Sequence, residues 1–197
     1  MPRQIDELRL FEVVTELFVC QGYSGTTTKV IAARAGVNEA TLFRRYGGKA
    51  ELVCAALRDR LEQVPLRSLV ATDDLAADLV QVVEAYLQTY RQVGAVFPLL
   101  LVEAARHLEL RRALEVAWFN IQAVVRIVAH HQARGSLREE SPLLAVSALI
   151  GPMFVVGLVQ RVQPEMPLQV DVEAHVRGFL EGRAVSGSTQ ARPGGSW

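Results

Sequence analysis

Apolar residues recur in the first segment at Leu10, Phe11, Val14, Leu17 and Phe18, offsets of 0, 1, 4, 7 and 8 that share one helix face. Gly22 follows them, where a glycine suits a helix end. Thr26-Thr27-Thr28 offers N-cap hydroxyls for a short second helix that turns Ile31 and Ala35 inward, and Gly36 closes it. Val37 plugs the turn, Asn38 caps a third helix through Tyr46, and Gly47-Gly48 breaks it. Lys49 begins a longer helix carrying Leu52, Val53, Ala56, Leu57 and Leu61. After Pro65 and the stretch 70–74, the pattern predicts helices over 75–93, 98–107, 109–134, 141–162 and 171–181. Gly94, Gly135, and Pro164 with Pro167 punctuate them, and Ser141-Pro142 reads as a cap followed by proline at the first helical position. No segment shows convincing strand alternation, and none repeats. The expectation is an all-α fold of about nine helices, with a three-helix head over 1–48, a helical body over 49–184 and a disordered Ser/Gly/Pro-rich tail over 185–197.

Composition agrees with packed helices: 50% of the 197 residues are hydrophobic but only 7% aromatic. The longest apolar run, 143–159, is interrupted by Gly151, Pro152 and Gly157, so no membrane span is expected. The charged start MPRQIDELRL lacks a signal-peptide apolar core, which makes the cytoplasm the expected location. Cys20 and Cys54 form neither a disulfide framework nor a zinc pattern and are expected as free thiols; a redox role stays open. Net charge is zero, which read globally argues against a nucleic-acid partner. Locally, 26–49 holds Lys29, Arg34, Arg44, Arg45 and Lys49 against Glu39 alone, a net +4. A short basic segment on a neutral chain suits a DNA-contacting element, although a solvated helix face would look the same.

Two short helices joined by Ala35-Gly36-Val37 make a helix-turn-helix whose second helix can enter a major groove. Leu42 and Tyr46, one turn apart, hold that helix against the first, leaving Glu39, Ala40 and Arg44 outward. Small residues at its start permit close approach to base edges, and Arg44 and Arg45 suit phosphate or guanine. No Gly-rich phosphate loop, nucleophile elbow or metal-ligand spacing appears, so neither catalysis nor a cofactor or metal is expected.

The residues Leu17-Phe18, Gly22-Tyr23, Thr27-Thr28, Ile31-Ala32, Ala35-Gly36-Val37, Thr41 to Tyr46, Lys49 and Leu52 together resemble the TetR (tetracycline repressor) family, without gaps over about 9–57. The resemblance implies a homodimer with two DNA-binding heads on ligand-responsive bodies. By position it puts Lys29, Glu39, Ala40 and Thr41 near bases, and Thr27, Phe43, Arg45 and Lys49 near phosphates. With Thr28, Asn38, Arg44 and Tyr46 these form the candidate DNA-contacting set. Phe43 stands where tyrosine is common, so a hydroxyl is lost; Gly48 stands where a capping serine is common. Glu39 either accepts from a cytosine amino group or is simply solvated.

Within the resemblance, the helices over 141–162 and 171–182 form a four-helix dimer interface, with Ala145, Ala148, Gly151 and Gly157 allowing close approach. A buried intrachain helix is the competing reading, and Pro152 is expected to bend the first of the two. The middle helices carry Tyr86, Tyr90, His107, Asn120, Gln122, His130 and His131 on apolar faces. Tyr86, Tyr90, Phe97, His107, Trp118, Phe119, Gln122 and Phe154 are the candidate ligand-binding set, and ordinary packing or exposure is the plainer reading of each. Adjacent His130 and His131 cannot point the same way on a helix, which disfavours a shared metal. The expected function is a repressor that binds a palindromic operator on double-stranded DNA and is released by a small lipophilic or aromatic effector. The alternative is a helical interaction protein whose head no longer binds DNA specifically.

Overall fold

The structure is a computed structural model that describes residues 6–163, 165 and 169–182. Among the described residues it contains nine α-helices and no strand. The head comprises α1 (Glu7–Gly25), α2 (Thr28–Ala35) and α3 (Glu39–Tyr46). The body comprises α4 (Lys49–Glu62), α5 (Leu75–Val93), α6 (Val96–Ala104), α7 (Arg111–Ala133), α8 (Pro142–Val162) and α9 (Val172–Glu181). Two 3-10 turns not foreseen from the pattern, Pro65–Ser68 and Leu108–Leu110, lie between body helices. The expected proline stop at Pro164 and Pro167 and the expected disordered tail lie outside the described residues.

Side chains define most helix starts. Asp6, Thr27, Asn38, Asp74 and Asp171 each accept a backbone N–H from the first turn of α1, α2, α3, α5 and α9, an arrangement worth about 1 kcal/mol per helix. Thr27 is the cap of α2, whereas the Thr26 hydroxyl is buried and donates to the Gly22 carbonyl at 2.8 Å. Ser141 stands at the start of α8 but makes no side-chain cap; Pro142 at the first helical position does the work of entry. Gly22 adopts φ 69 and breaks α1 into a helix and a short turn. Gly36, at φ 68, is the left-handed residue that turns α2 into α3, a conformation that disfavours a β-carbon.

One hydrophobic core runs through head and body. Leu10, Val14, Leu17 and Phe18 of α1 are buried together with Ile31, Leu42, Leu52, Val53 and Leu57. α4 packs on α1 on one side and on α7 on the other, so it joins the head to the body. The body has a buried polar clamp. Asp78 of α5 accepts from His131 Nε2 of α7 at 2.8 Å and from the Thr72 N–H and hydroxyl, both at 2.7 Å. Burial alone would raise the Asp78 carboxyl; the hydrogen bonds from Thr72 and His131 outweigh it and hold the group below its ordinary value. His131 is thereby committed to α5, while the His130 ring lies nearly perpendicular to it at 85°.

α8 is apolar on every side because each side faces something different. Ala145, Leu149, Met153 and Gly157 face the core. Leu143, Val146, Ser147, Ile150, Phe154 and Leu158 face a cavity. The third stripe, Leu144, Val155, Val159 and Val162, looks outward and is exposed. Gly151, Pro152 and Gly157 do not interrupt α8, which by length and composition alone is long and apolar enough to cross a membrane. The helix packs on α5, α7 and α9 on one side and leaves its outward side exposed.

Candidate functional site

α3 stands on the head with Leu42 buried beneath it and Tyr46 packed 6.1 Å from the Phe11 ring of α1. This leaves Ala40, Phe43, Arg44 and Arg45 exposed, together with Thr27, Lys29 and Asn38 from the turn and α2. Phe43 is 49% exposed, so its ring is offered outward and is not packed into the head. Asn38 spends its side-chain oxygen on the Ala40 N–H at 2.8 Å, making it a cap before it is a DNA contact. Thr28 and Glu39 are half-buried and bonded to each other, the hydroxyl donating to Glu39 Oε1 at 2.6 Å. Thr41 is half-buried at the same edge.

Glu7, a residue the pattern gave no reason to single out, organises the far end of α3. Its Oε1 accepts from Arg45 at 3.0 Å and from the Tyr46 hydroxyl at 2.7 Å. Burial and the bond to Glu7 push the Tyr46 phenol up to about 12. Lys49, at the start of α4, donates from Nζ to the Ser24 carbonyl at 3.4 Å and lies 4.0 Å over the Tyr23 ring. Burial lowers its ammonium, partly offset by Glu109 and Glu103. Lys49 is thus engaged at the junction of head and body.

A cavity of about 390 Å³ opens in the body between α5, α6, α7 and α8. Four of the expected ligand residues, Tyr86, Tyr90, Phe97 and Phe154, line it. The other four do not. His107 lies in the extended link after α6, its ring 4.6 Å from Tyr23 and its Nε2 3.6 Å from Glu103, and so belongs to the junction. Trp118 and Phe119 are exposed on the outside of α7, Phe119 between the guanidinium groups of Arg67 at 5.0 Å and Arg126 at 5.7 Å. Gln122 is half-buried away from the lining. The reason is helical phase. The lining stripe of α7 is Ala117, Asn120, Ile121 and Val124, spaced three, one and three residues apart. Trp118, Phe119 and Gln122 fall about 100° or more off that stripe.

Thr89 and Asn120 are two polar cavity residues that the sequence set omitted. Thr89 lies one turn from Tyr86 and Val93 on the lining face of α5, a spacing that would have found it. Tyr90 is fixed against α8, its hydroxyl donating to the Gly157 carbonyl at 2.8 Å. A β-carbon on Gly157 would stand 2.5 Å from the Tyr90 ring, so Gly157 serves intrachain packing and not an approach by a partner. Ala145 is likewise buried within the chain, Ala148 is partly buried against the core, and Gly151 lines the cavity. Cys20 and Cys54 are free; burial pushes the Cys54 thiol up, and it donates to the Glu109 carbonyl at 3.2 Å.

Comparison with known proteins matches the chain in two parts. The family described as bacterial regulatory proteins, tetR family, matches residues 10–56, and the tetracyclin repressor-like C-terminal domain matches 69–171. An HTH-type transcriptional regulator of Mycobacterium tuberculosis is 32% identical over 109 residues, which are 55% of this chain and 53% of that protein. The chain therefore spans about half the length of the curated relatives it matches. A transcriptional regulator of Pseudomonas aeruginosa PAO1 superposes with a TM-score of 0.73 at 17% identity, covering 89% of this chain and 88% of that one. A regulator of Saccharomonospora viridis, solved in complex with choline, gives 0.69 at 20% identity, covering 91% and 97%. These two likenesses speak for the fold. The matched head and body together make the chain a member of the TetR family of transcriptional regulators.

Proposed function

We propose that the protein is a cytoplasmic repressor that binds a palindromic operator as a homodimer and leaves it when a small lipophilic or aromatic effector fills the body cavity. The observation that carries this reading is the outward face of α3. Leu42 pins the helix down while Ala40, Phe43, Arg44 and Arg45 stay exposed beside Lys29. Such a face suits a major groove, with phosphates on its flanks. The division of the chain at 48 and 49 falls between α3 and α4 in this reading. The junction gives the effector a route to the head. α6 lines the cavity through Phe97, Pro98 and Leu101, and Glu103 at its far end reaches Gly22 of α1. An effector acts only by its different affinity for the two arrangements of the heads.

Selection of bound DNA from a random pool, with and without candidate ligands, tests the reading. An enriched palindrome is expected, with affinity falling steeply as salt rises. Arg45→Ala should weaken all sequences and lower the salt slope by about one, whereas Lys29→Ala or Thr41→Ala should change preference at single base pairs. A second reading has Phe43 and the Glu7–Arg45 pair in its favour: a head withdrawn from DNA and kept as an interaction module. No enriched sequence, and no salt-dependent binding to DNA upstream of its own gene, would favour that one.

A further inference from the structure

The cavity's polar atoms are few, and two of them have no partner. Asn120 is 5% exposed, and its Nδ2 donates to the Leu61 carbonyl at 2.7 Å, which fixes the amide's orientation. Its Oδ1 is left buried without a hydrogen bond, and so is the Thr89 hydroxyl on α5. Both residues line the cavity. Buried acceptors in folded proteins are nearly always bonded, so an orphan on a cavity wall asks for a donor from an occupant. Among the described residues, none that lines the cavity is Asp, Glu, Lys, Arg or His. A carboxylate would find no counter-charge and would meet the Asn120 oxygen acceptor to acceptor; a cation would find aromatic faces but no carboxylate. The tyrosines do not supply a negative charge either. Tyr90 spends its proton on Gly157, and burial drives the Tyr86 phenol upward. The remaining walls are mostly aliphatic, with Leu, Ile, Val and Ala side chains around Phe97 and Phe154, which meet edge to face at 6.3 Å.

We infer that the cavity takes a neutral, mainly apolar molecule carrying a hydroxyl or N–H donor, which it gives to Asn120 Oδ1. This rests on reading the cavity as the effector site. The Thr89 hydroxyl, able to donate or accept, takes a neighbouring oxygen or N–H of the same molecule.

The test is calorimetric titration of the full chain with 4-hexylphenol, the matched ether 4-hexylanisole, octanoate and hexyltrimethylammonium. The phenol is expected to bind about tenfold tighter than the ether, and the two ions more weakly than the phenol. Asn120→Leu should abolish the phenol's advantage over the ether. The wild-type comparison decides the matter even if that variant fails to fold. Equal binding of phenol and ether, tighter binding of either ion, or no binding of the phenol overturns the inference. Gel shifts on the selected operator separate the two proposals. Release by octanoate but not by the phenol defeats the ligand class and keeps the effector reading; a donor-dependent phenol complex that leaves operator binding unaltered does the reverse.

Discussion

Glu7 and an operator phosphate would compete for the same guanidinium. In the free head Arg45 and Tyr46 both donate to Glu7 Oε1, and the ion pair is half-exposed. An exposed pair of this kind contributes little to folding, about 0–1 kcal/mol, but its negative charge sits beside the expected path of the DNA backbone. Glu7→Gln removes that charge and keeps an oxygen to accept from Arg45. Its expected effect is operator binding roughly two- to fivefold tighter at low salt, with the gain shrinking as salt screens the site, and thermal stability within about 1 kcal/mol of the parent. Filter binding across a salt series, alongside thermal melts, checks both halves. Glu39 behaves differently. With Oε1 bonded to the Thr28 hydroxyl it is held in one orientation, so the carboxylate, if it meets a cytosine, arrives already placed.

Most helices were legible from sequence because their ends carry chemistry that acts locally: Thr27 and Asn38 as caps, Gly36 and Gly47 as left-handed ends. The cavity was half legible, because a wall is a matter of phase between helices. Tyr86 and Tyr90 share the inward face of α5 with Thr89, but the conspicuous aromatics of α7 lie on its outer side and the modest Asn120 on its inner one. Two contacts between helices lead to predictions. Gly157→Ala places a methyl 2.5 Å from the Tyr90 ring, so it should cost about 1–3 kcal/mol in urea unfolding and far less in a Tyr90→Ala background. The Asp78–His131 bond ties α5 to α7 at about 1% exposure on both sides. Asp78→Asn should cost about 2–4 kcal/mol at neutral pH, because a buried charged hydrogen bond loses its charge. Since the folded Asp78 carboxyl lies below its ordinary value, its contribution is complete above about pH 4 and disappears as pH falls through the folded value. The gap between parent and variant should therefore stay level from neutral pH to about 4 and narrow below it. A gap that widens in acid would contradict the assignment.

The whole molecule carries no net charge, and the local basic excess of the head is the net +4 of the short segment 26–49. A single head of this kind offers few phosphate contacts, and each contact adds only a modest, salt-dependent increment to affinity. On the proposed reading, tight operator binding would depend on coupling two heads at a fixed spacing, and the outward stripe of α8 is the surface we propose for that coupling. Leu144, Val155, Val159 and Val162 lie exposed along it, so the outward side of α8 is apolar. On the proposed dimer, Val155→Glu with Val159→Glu sets like charges against each other across a two-fold axis. The expected result is a monomer by light scattering at micromolar concentration, with the parent's helical content by circular dichroism, since neither valine belongs to the chain's own core. Operator affinity should fall by at least about a hundredfold as the gain from linking two heads is lost. Binding to a half-site by one head should change little, because α3 and its flanks are untouched. A double variant that stays dimeric would move the interface to another face, and one that loses half-site and full-site binding equally would show that pairing is not what gives this head its affinity.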